Sequence, residues 1–386
     1  MPFTYAVIGS GRQGAAAAYD FIKFGNARRV LLVDSNEKNA KSVAQKINRL
    51  TGSGLCDYVV ADVNDYSSLV KTLRDVDSFV SAVPYKYNYG LTRAAIESGS
   101  NMTDLGGNTS IVKEQLKLNE QAKNKGVSIV PDCGMDPGLN ISLITYMLEL
   151  FDKVEEIKSY GAGLPQNPVP PWNYELFFNL NGLTNEYYGN AILIKNGKVT
   201  EVPCFDGFEE LTFPEPIGKL EAAVTAGGLS TLPWSLEGKV QTLTNKTLRY
   251  PGHWSQFKSF SQLGLFDETP IEINGCKIAP RDFYHALIGP KISPKSEKDL
   301  GIIRINASGI KNGKPHKAQI ELVDYYDEET GFTSMQRLTG WHASTIAILA
   351  AEGKITNGAL PVDMAVPGSV IINEFGKRGI TINIKS

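Results

Sequence analysis

The sequence predicts an α/β protein of two domains: a doubly wound parallel sheet, then a second α/β domain containing a mainly antiparallel sheet. In the first third of the chain, short apolar segments alternate with segments of helical periodicity, which is typical of parallel β–α–β units. From residue 154 onward, strand-like segments are joined by Asn-Gly turns, which favour antiparallel hairpins. The length of 386 residues is sufficient for both domains.

The first domain is predicted to contain six strands separated by five helices. Each helix lets the chain cross over to a parallel neighbouring strand, so the six strands form a complete dinucleotide-binding domain. The predicted strands are 4–8, 29–34, 58–61, 78–82, 101–105 and 127–131. The predicted helices are 13–24, 37–50, 66–73, 89–98 and 111–124.

The rest of the chain is predicted to build the second domain and then return to the first. A helix at 138–151 connects the first domain to the second. Hairpins are expected at Asn196-Gly197 and Asn312-Gly313, because Asn-Gly accepts the positive φ angles of a tight turn. The predicted elements are strands 191–195, 198–203, 302–310 and 316–326, a helix at 342–352, and a last apolar strand at 370–374, which is followed in sequence by the segment 379–384. The first domain therefore comprises residues 1–138 completed by 336–386, and residues 139–335 form a substrate and dimerisation domain.

Composition argues against several classes of protein. The 39 Lys and Arg residues nearly balance the 41 Asp and Glu residues, so we expect no nucleic-acid partner and no anionic membrane surface. The four cysteines include no CxxC pair and no group of residues has metal-ligand spacing, so the sequence predicts no disulfide framework and no metal. Because the chain shows neither a signal-peptide pattern nor an apolar run of roughly 20 residues, we expect a cytoplasmic protein.

The clearest functional motif is a glycine-rich turn directly after the first strand and at the start of the first helix. Gly9 permits the tight turn, Gly11 lets the backbone approach a pyrophosphate, and Gly14 allows close packing of helix on strand. The helix N-terminus adds N–H donors and positive potential. The motif predicts a Rossmann dinucleotide site, with a turn that binds nothing as the alternative. Its residues are Gly9, Ser10, Gly11, Arg12, Gln13 and Gly14.

Asp34 decides the predicted choice of dinucleotide. It ends the second strand, 20 residues after Gly14, where a carboxylate can accept hydrogen bonds from the hydroxyls of the adenosine ribose. A carboxylate repels a 2′-phosphate, and the following Ser35 and Asn36 supply no arginine to attract one. The sequence therefore predicts NAD, with NADP less favoured.

Further cofactor contacts are expected at the carboxyl ends of the later strands, where open α/β sheets bind their ligands. Asp62 and Val63 are expected to flank the adenine, although Asp62 could instead cap the helix that follows. The residues expected beside the nicotinamide are Ala82, Val83, Pro84 and Gly106.

Several longer segments, in order along nearly the whole chain, resemble the saccharopine dehydrogenase-like family. The resemblance implies an NAD(P)-dependent oxidoreductase acting at a C–N bond of lysine or a lysine adduct, with a small amino-acid substrate and a homodimeric assembly. Within the family, Gly163-Leu164-Pro165 and Asn185-Glu186-Tyr187 are closer to the lysine 6-dehydrogenase branch. Ala226-Gly227-Gly228-Leu229 departs from an expected Thr-Asp-Gly-Leu pattern, so no aspartate contact is carried over there. The other matching segments are Ser81-Ala82-Val83-Pro84-Tyr85, Asp104-Leu105-Gly106-Gly107, Cys133-Gly134-Met135-Asp136-Pro137-Gly138, Gly182-Leu183-Thr184 and Lys246-Thr247-Leu248-Arg249-Tyr250-Pro251-Gly252-His253.

Three residues are predicted to act in catalysis. Asp104 ends the fifth strand beside the expected nicotinamide, where it could orient or deprotonate the amine, with a loop or capping carboxylate as the alternative. Arg249 has the planar fork that suits an α-carboxylate, with an interdomain salt bridge as the alternative. His342, just before a predicted helix, is the third. The expected substrate-binding residues are Arg249, Glu186 for an α-ammonium group, Cys133 as pocket lining and, through the resemblance, Tyr85, Asn185, Tyr250 and His253.

Two other functions stay open at this stage. A reductase of the saccharopine or carboxynorspermidine type would join an aldehyde and an amine into a secondary amine. Its extra carboxylate calls for a second arginine, for which Arg281 and Arg337 are the candidates. A non-catalytic NAD-binding sensor would bind the cofactor without turnover.

Overall fold

The computed structural model describes all residues from 1 to 386, and its first sheet has seven parallel strands. The strand order is β3-β2-β1-β4-β5-β6, with a seventh strand beyond β6, so the order reverses beside β1 as in a Rossmann domain. The six strands predicted for the first domain are confirmed. The elements are β1 (Phe3–Ile8), α1 (Arg12–Phe24), β2 (Ala27–Asp34), α2 (Glu37–Thr51), β3 (Cys56–Val60), α3 (Tyr66–Leu73), β4 (Ser78–Ser81), a 3₁₀ turn (Tyr85–Tyr87), α4 (Asn88–Ser98), β5 (Asn101–Asp104), α5 (Thr109–Leu116), α6 (Asn119–Lys125) and β6 (Ser128–Val130).

The single helix predicted at 111–124 is wrong, because the chain forms α5 and α6 in its place. Leu118 leaves the helical conformation and is buried. The interruption places Asn119 so that its side-chain oxygen accepts a hydrogen bond from the backbone N–H of Ala359 at 3.0 Å. That contact fixes the last strand of the sheet, a long-range partner that local periodicity does not reveal.

The second sheet has nine strands and is mainly antiparallel, as predicted. Both Asn-Gly hairpins are confirmed: Asn196 and Gly197 have φ of 52° and 76°, and Asn312 and Gly313 have 51° and 71°. Only the pairing of β7 with β12 is parallel. The elements are α7 (Leu139–Glu149), β7 (Lys153–Pro165), α8 (Leu180–Glu186), β8 (Asn190–Lys195), β9 (Lys198–Pro203), β10 (Glu209–Thr212), β11 (Lys219–Val224), α9 (Leu232–Leu236), β12 (Thr242–Arg249), α10 (His253–Gln262), β13 (Ile271–Ile273), β14 (Cys276–Ile278), α11 (Pro280–Ile292), β15 (Asp299–Lys311) and β16 (Lys314–Tyr325).

The C-terminal segment contributes a strand to each sheet, β17 beside β6 and β18 beside β16. The strand predicted at 370–374 is wrong. It lies in a helix whose buried Ile371 and Phe375 are four residues apart, the spacing of a helix face. The helix predicted at 342–352 begins eight residues earlier, after a capping box formed by Thr333 and Gln336. The elements are α12 (Ser334–Ala351), β17 (Gly358–Ala359), α13 (Val362–Ala365), α14 (Gly368–Lys377) and β18 (Ile382–Lys385).

One apolar core joins the two sheets. A cluster of 55 buried residues includes Tyr5 and Val7 of the first sheet, Ile303 and Ile305 of the second, and Ile346 of α12. Because this core is continuous, it holds the carboxyl ends of the first sheet in a fixed place relative to the second sheet. None of the helices combines the length and apolar character needed to cross a bilayer.

Candidate active site

The predicted dinucleotide turn forms a cradle that fits a pyrophosphate. Gly9 has φ of 101°, and a Cβ there would lie 2.7 Å from the carbonyl oxygen of Ala82. A Cβ on Gly14 would lie 2.0 Å from the carbonyl oxygen of Gly9, whereas Gly11 faces open space. No side chain caps the first turn of α1, so its N–H groups can bind an anion. The residues present therefore fit the dinucleotide that the motif implies.

Asp34 is held in place by the turn itself. Its Oδ2 accepts hydrogen bonds from the backbone N–H and the hydroxyl of Ser10 at 2.8 and 2.6 Å, and its Oδ1 accepts one from the N–H of Asn36 at 2.9 Å. Burial opposes ionisation, but these hydrogen bonds and one from Asn39 outweigh it and lower the Asp34 pKa. The end of β2 thus presents a fixed negative charge.

The side chains that follow Gly11 differ in their surroundings. Arg12 extends toward the second domain, where its two terminal nitrogens donate to the carboxylate of Glu297 at 2.9 and 2.8 Å. Both partners are well exposed, so the pair contributes little to stability. Gln13 is half-buried and its Oε1 has no hydrogen-bond partner, while Ser35 is exposed.

The other predicted cofactor residues lie at the same edge of the sheet. Asp62 is exposed beyond β3, and its carboxylate accepts a hydrogen bond from the N–H of Asn64. The residue that caps α3 is Asp65, so the alternative of Asp62 as the helix cap is wrong. The remaining members of this edge are Val63, Ala82 and Val83, which are half-buried, Pro84, which is exposed, and Gly106, which has φ of 76°.

The second domain reaches this edge through α8. Asn185 donates from Nδ2 to the hydroxyl of Tyr85 at 3.4 Å, which joins the end of α8 to the turn after β4. The next residue, Glu186, is an acid near this contact. A second acid, Asp136, lies in the loop between β6 and α7.

The carboxylate of Asp136, which is not among the predicted site residues, is held by specific contacts. Its Oδ1 accepts hydrogen bonds from Asn140 at 2.7 Å and from Asn245 at 3.3 Å. A Cβ on Gly161 would lie 2.2 Å from one carboxylate oxygen of Asp136, and a Cβ on Gly228 would lie 2.5 Å from the other. Gly228 belongs to the Ala226-Gly227-Gly228-Leu229 segment that differs from the family pattern, and its lack of a side chain leaves space for the Asp136 carboxylate. Burial, with a contribution from the charge of Glu186, raises its pKa to about 7.

Glu186 and Arg249 form the other half of this cluster. Arg249 is 2 % exposed and donates to the hydroxyl of Tyr187 at 2.9 Å, to the carbonyl of Leu248 at 3.0 Å and to Glu186 at 3.5 Å. Burial raises the pKa of Glu186 to about 7 although the charge of Arg249 opposes the shift. The cluster therefore contains two carboxyl groups that titrate near pH 7 and one guanidinium, Arg249, most of whose N–H donors are already hydrogen-bonded.

Comparison with known proteins places the whole chain in one family. Residues 5–130 match the model described as the saccharopine dehydrogenase NADP binding domain, and residues 132–380 match the saccharopine dehydrogenase C-terminal domain. The chain belongs to the saccharopine dehydrogenase family. This confirms the family that the sequence segments indicated.

Two relatives of this saccharopine dehydrogenase family member are less than 30% identical to it. Saccharopine dehydrogenase [NADP(+), L-glutamate-forming] of Schizosaccharomyces pombe is 27% identical over 55% of this chain and 49% of that protein. The Saccharomyces cerevisiae protein of the same name is 23% identical over 66% of this chain and 57% of its own length, so the matched part spans about half of these relatives. The apo structure of saccharopine dehydrogenase (L-Glu forming) from Saccharomyces cerevisiae matches with a TM-score of 0.79 at 19% identity over 99% of both chains, which shows a shared fold.

In this family member, Asp104 and His342 have no access to a substrate. Asp104 is fully buried, and its oxygens accept hydrogen bonds from the N–H groups of Gly106 and Asp132 and from the amide of Gln115, which favours the loop-carboxylate alternative. His342 lies inside α12, not before it, and its ring nitrogens are 2.9 Å from the carbonyl of Cys133 and 3.0 Å from the hydroxyl of Ser142. Burial lowers the His342 pKa to about 4, so the ring is neutral.

Three of the expected pocket residues are also internal. Cys133 is fully buried and its thiol contacts the carbonyl of Val130, so it packs below the site and does not line it. The hydroxyl of Tyr250 donates to the carbonyl of Pro165. His253 stacks on Phe257 and reaches the hydroxyl of Tyr187, the residue that supports Arg249. Through Tyr187, His253 supports the cluster from the interior.

Asp132 is a buried acid that gives a testable stability effect. It is 2 % exposed with φ of 57°, its Oδ1 has no hydrogen-bond partner, and burial, followed by the charge of Asp104, raises its pKa to about 7. Because the folded pKa exceeds the unfolded value, stability is lost as the pH rises from about 4 through 7. Asp132→Asn should therefore be more stable than wild type by about 4 kcal/mol at pH 8 and by much less at pH 4, measured by urea unfolding. A stability difference that is equal at both pH values would contradict this assignment.

Proposed function

We propose that this protein is an NAD-dependent amine dehydrogenase that oxidises the ε-amino group of L-lysine to 2-aminoadipate 6-semialdehyde and ammonia. The observation that carries the proposal is the pair of carboxyl groups in the cluster, Asp136 and Glu186, whose ionised forms a nearby ammonium group favours, while Arg249 already donates three hydrogen bonds. Such a site attracts a substrate with net positive charge, as lysine has, and disfavours a lysine adduct that brings further carboxylates. The predicted lysine 6-dehydrogenase branch agrees with this charge.

The chain's own residues supply a proton acceptor. Transfer of a hydride from the carbon requires a neutral nitrogen, and an amine with a pKa of about 10.4 is charged at pH 7. Asp136, with its pKa near 7, is close to the operating pH, which is the optimum for a general base, and Asn140 and Asn245 hold its carboxylate in place. We assign Asp136 as the group that takes the ammonium proton and Glu186 as its electrostatic partner.

The proposed reaction balances with water as the only further reactant. When bound, the oxidised nicotinamide ring accepts the hydride from the ε-carbon. The substrate then carries a C=N bond, which water cleaves to the aldehyde and an ammonium ion. The sum is R–CH2–NH3⁺ + NAD⁺ + H2O giving R–CHO + NH4⁺ + NADH + H⁺, and the last proton is the one that Asp136 accepts and releases to solvent.

The choice of NAD rests on Asp34, although the matching family model and the yeast relatives are named for NADP(+). Asp34→Asn keeps an acceptor for Ser10 but removes the charge that repels a 2′-phosphate. We expect the ratio of kcat/KM with NAD to kcat/KM with NADP to fall by about 10-fold or more. Asp57→Asn, at the opposite end of the neighbouring strand, is the control. A wild-type enzyme that prefers NADP would contradict the assignment.

A secondary-amine reductase is the second candidate, favoured by the names of the relatives and by Arg281. Arg281 donates from Nη1 to the side-chain oxygen of Asn185 at 2.9 Å and forms an ion pair with the exposed Glu268, while its Nη2 has no partner, so a second guanidinium lies close to the site. Arg337, the other candidate, is paired with Asp324.

One assay separates these functions. Absorbance of the reduced nicotinamide is followed with NAD or NADP and a panel of amines, first alone and then with an aldehyde or keto acid. Reduction of NAD by lysine alone, faster at higher pH, is the expected result. An absolute requirement for a carbonyl co-substrate would assign the reductase, and cofactor binding without any turnover would assign the sensor.

A further inference from the structure

A second buried arginine has an unused donor group beside the candidate active site. Arg281 lies in the first turn of α11 and is 5 % exposed, and its Nη2 has no hydrogen-bond partner. A charged donor that is buried without a partner costs free energy and is uncommon in native structures. The unused nitrogen therefore indicates an acceptor that lies outside the chain.

The other contacts of Arg281 fix its guanidinium. Nε donates to the carbonyl of Phe266 at 2.8 Å, Nη1 donates to the side-chain oxygen of Asn185 at 2.9 Å, and the group lies 4.9 Å from the centre of the Tyr188 ring. Its counter-charge is Glu268, whose side chain is 71 % exposed. An ion pair with so exposed a partner contributes little, so another carboxylate can displace Glu268.

Arg281 is joined to both halves of the candidate site through Asn185. The oxygen of the Asn185 side chain accepts from Arg281, and its nitrogen donates to the hydroxyl of Tyr85, at the cofactor edge of the first sheet. The next residue of α8 is Glu186, whose charge acts on Asp136. Arg281 therefore contacts the direct neighbour of one of the acids that the proposed function assigns to the ammonium end of the substrate.

Arg249, which was predicted to bind the substrate carboxylate, has no free nitrogen for it. Its three guanidinium nitrogens already donate to the hydroxyl of Tyr187, the carbonyl of Leu248 and the carboxylate of Glu186. A carboxylate bound there would also lie close to the like charge of Glu186. Of these two arginines, only Arg281 has a nitrogen that is free to donate.

We propose that Arg281 binds the α-carboxylate of the substrate. The inference rests on the proposed function and deepens it, because one free guanidinium suits a substrate with one carboxylate, as lysine has. The carboxylate takes the place of Glu268 at Nη1 and accepts from Nη2 as well, which is the two-point geometry that arginine offers to a carboxylate. The four methylene groups of lysine then extend its amine toward Asp136 and Glu186.

Calorimetry in the presence of NADH tests the proposal without turnover. Lysine and cadaverine share the reacting aminoalkyl end, but cadaverine lacks the carboxylate. Arg281→Met should raise the Kd of lysine by about 30-fold or more and change that of cadaverine by less than about 3-fold. Arg304→Met is the matched control, because Arg304 is also largely buried but pairs with Glu321 and packs on Phe213. It should change neither Kd.

Glu268→Gln provides a second test at an exposed side chain, where the substitution leaves the fold intact. It removes the carboxylate that competes for Arg281. The Kd of lysine should therefore fall by about 2- to 5-fold, whereas the Kd of cadaverine should not fall, since cadaverine has no group that binds the arginine.

Three results would overturn the proposal: no measurable binding of lysine to the wild type, an unchanged Kd of lysine in Arg281→Met, or an equal loss of lysine and cadaverine, which would make Arg281 a support of α8. The outcome is separable from that of the proposed function. A wild type that binds lysine through Arg281 without reducing NAD would contradict the dehydrogenase and retain the carboxylate site. Oxidation of lysine by a wild type whose Arg281→Met variant binds lysine equally well would do the reverse.

Discussion

Asp136→Asn is expected to lower kcat/KM for lysine by about 100- to 1000-fold while the protein stays folded. The asparagine side chain is nearly isosteric and keeps an oxygen that can accept from Asn140 and Asn245, so the loop between β6 and α7 should be retained. What is lost is the only group in the cluster that combines a pKa near 7 with two positioning amides. Steady-state kinetics with NAD and lysine measure the loss.

The pH dependence distinguishes a lost base from a lost contact. In the wild type, kcat/KM should rise with pH through an apparent pKa near 7, because the ionised form of Asp136 is the active one. Glu186→Gln removes a negative charge that helps to keep Asp136 protonated, so it should lower this apparent pKa and move the rise to more acidic pH. In Asp136→Asn the rise should disappear. Since the two acids interact, each apparent pKa belongs to the pair.

Asp299→Asn is the matched control for this prediction. Asp299 is also buried with a pKa raised to about 7 by burial, but its carboxylate accepts hydrogen bonds from the first N–H groups of α12. Its replacement should change stability and leave the pH profile of kcat/KM in place. An unchanged pH profile in Asp136→Asn would assign the proton acceptor to another group.

Local sequence patterns predicted most of the fold because the elements concerned have strong local signals. The central strands β1 and β2 contain continuous apolar runs, and the Asn-Gly turns require backbone angles that few other residues accept. The failures have one cause. The interruption before α6 depends on a contact between Asn119 and Ala359, and the helical state of 370–374 depends on packing of Ile371 and Phe375 into the shared core, so both are set by partners distant in sequence.

The candidate site shows a similar division. The glycine turn and Asp34 were recognisable because their chemistry is contained in one β–α–β unit. Asp104 ends β5 and Asp136 lies in the loop after β6, and sequence order alone does not show which of the two is fully buried and hydrogen-bonded. The signal that could have singled out Asp136 was present: it is an acid between an apolar residue and Pro-Gly, in a segment that already carried the family resemblance.

A buried ion pair between the first and last helices of the fold should have the largest effect on stability. Arg378 of the C-terminal segment donates from Nε and Nη2 to the two oxygens of Asp20 in α1 at 2.7 and 3.0 Å, and Ser344 of α12 donates to the same carboxylate at 2.7 Å. Neither charged side chain is exposed. The pair therefore joins the helix that carries the cofactor turn to the end of the chain.

Arg378→Met should reduce the free energy of unfolding by about 3–5 kcal/mol, because it leaves the Asp20 carboxylate buried without a counter-charge. The double variant Asp20→Asn with Arg378→Met removes both charges and should recover most of that loss, since the cost lies in the unpaired charge and not in the missing bond. Ser344→Ala, which removes one neutral donor, should cost only about 1 kcal/mol. Urea unfolding of the three variants measures these differences. If the double variant is as unstable as Arg378→Met, the arginine acts through its packing between α1 and α14, for example on Phe24, and not through its charge.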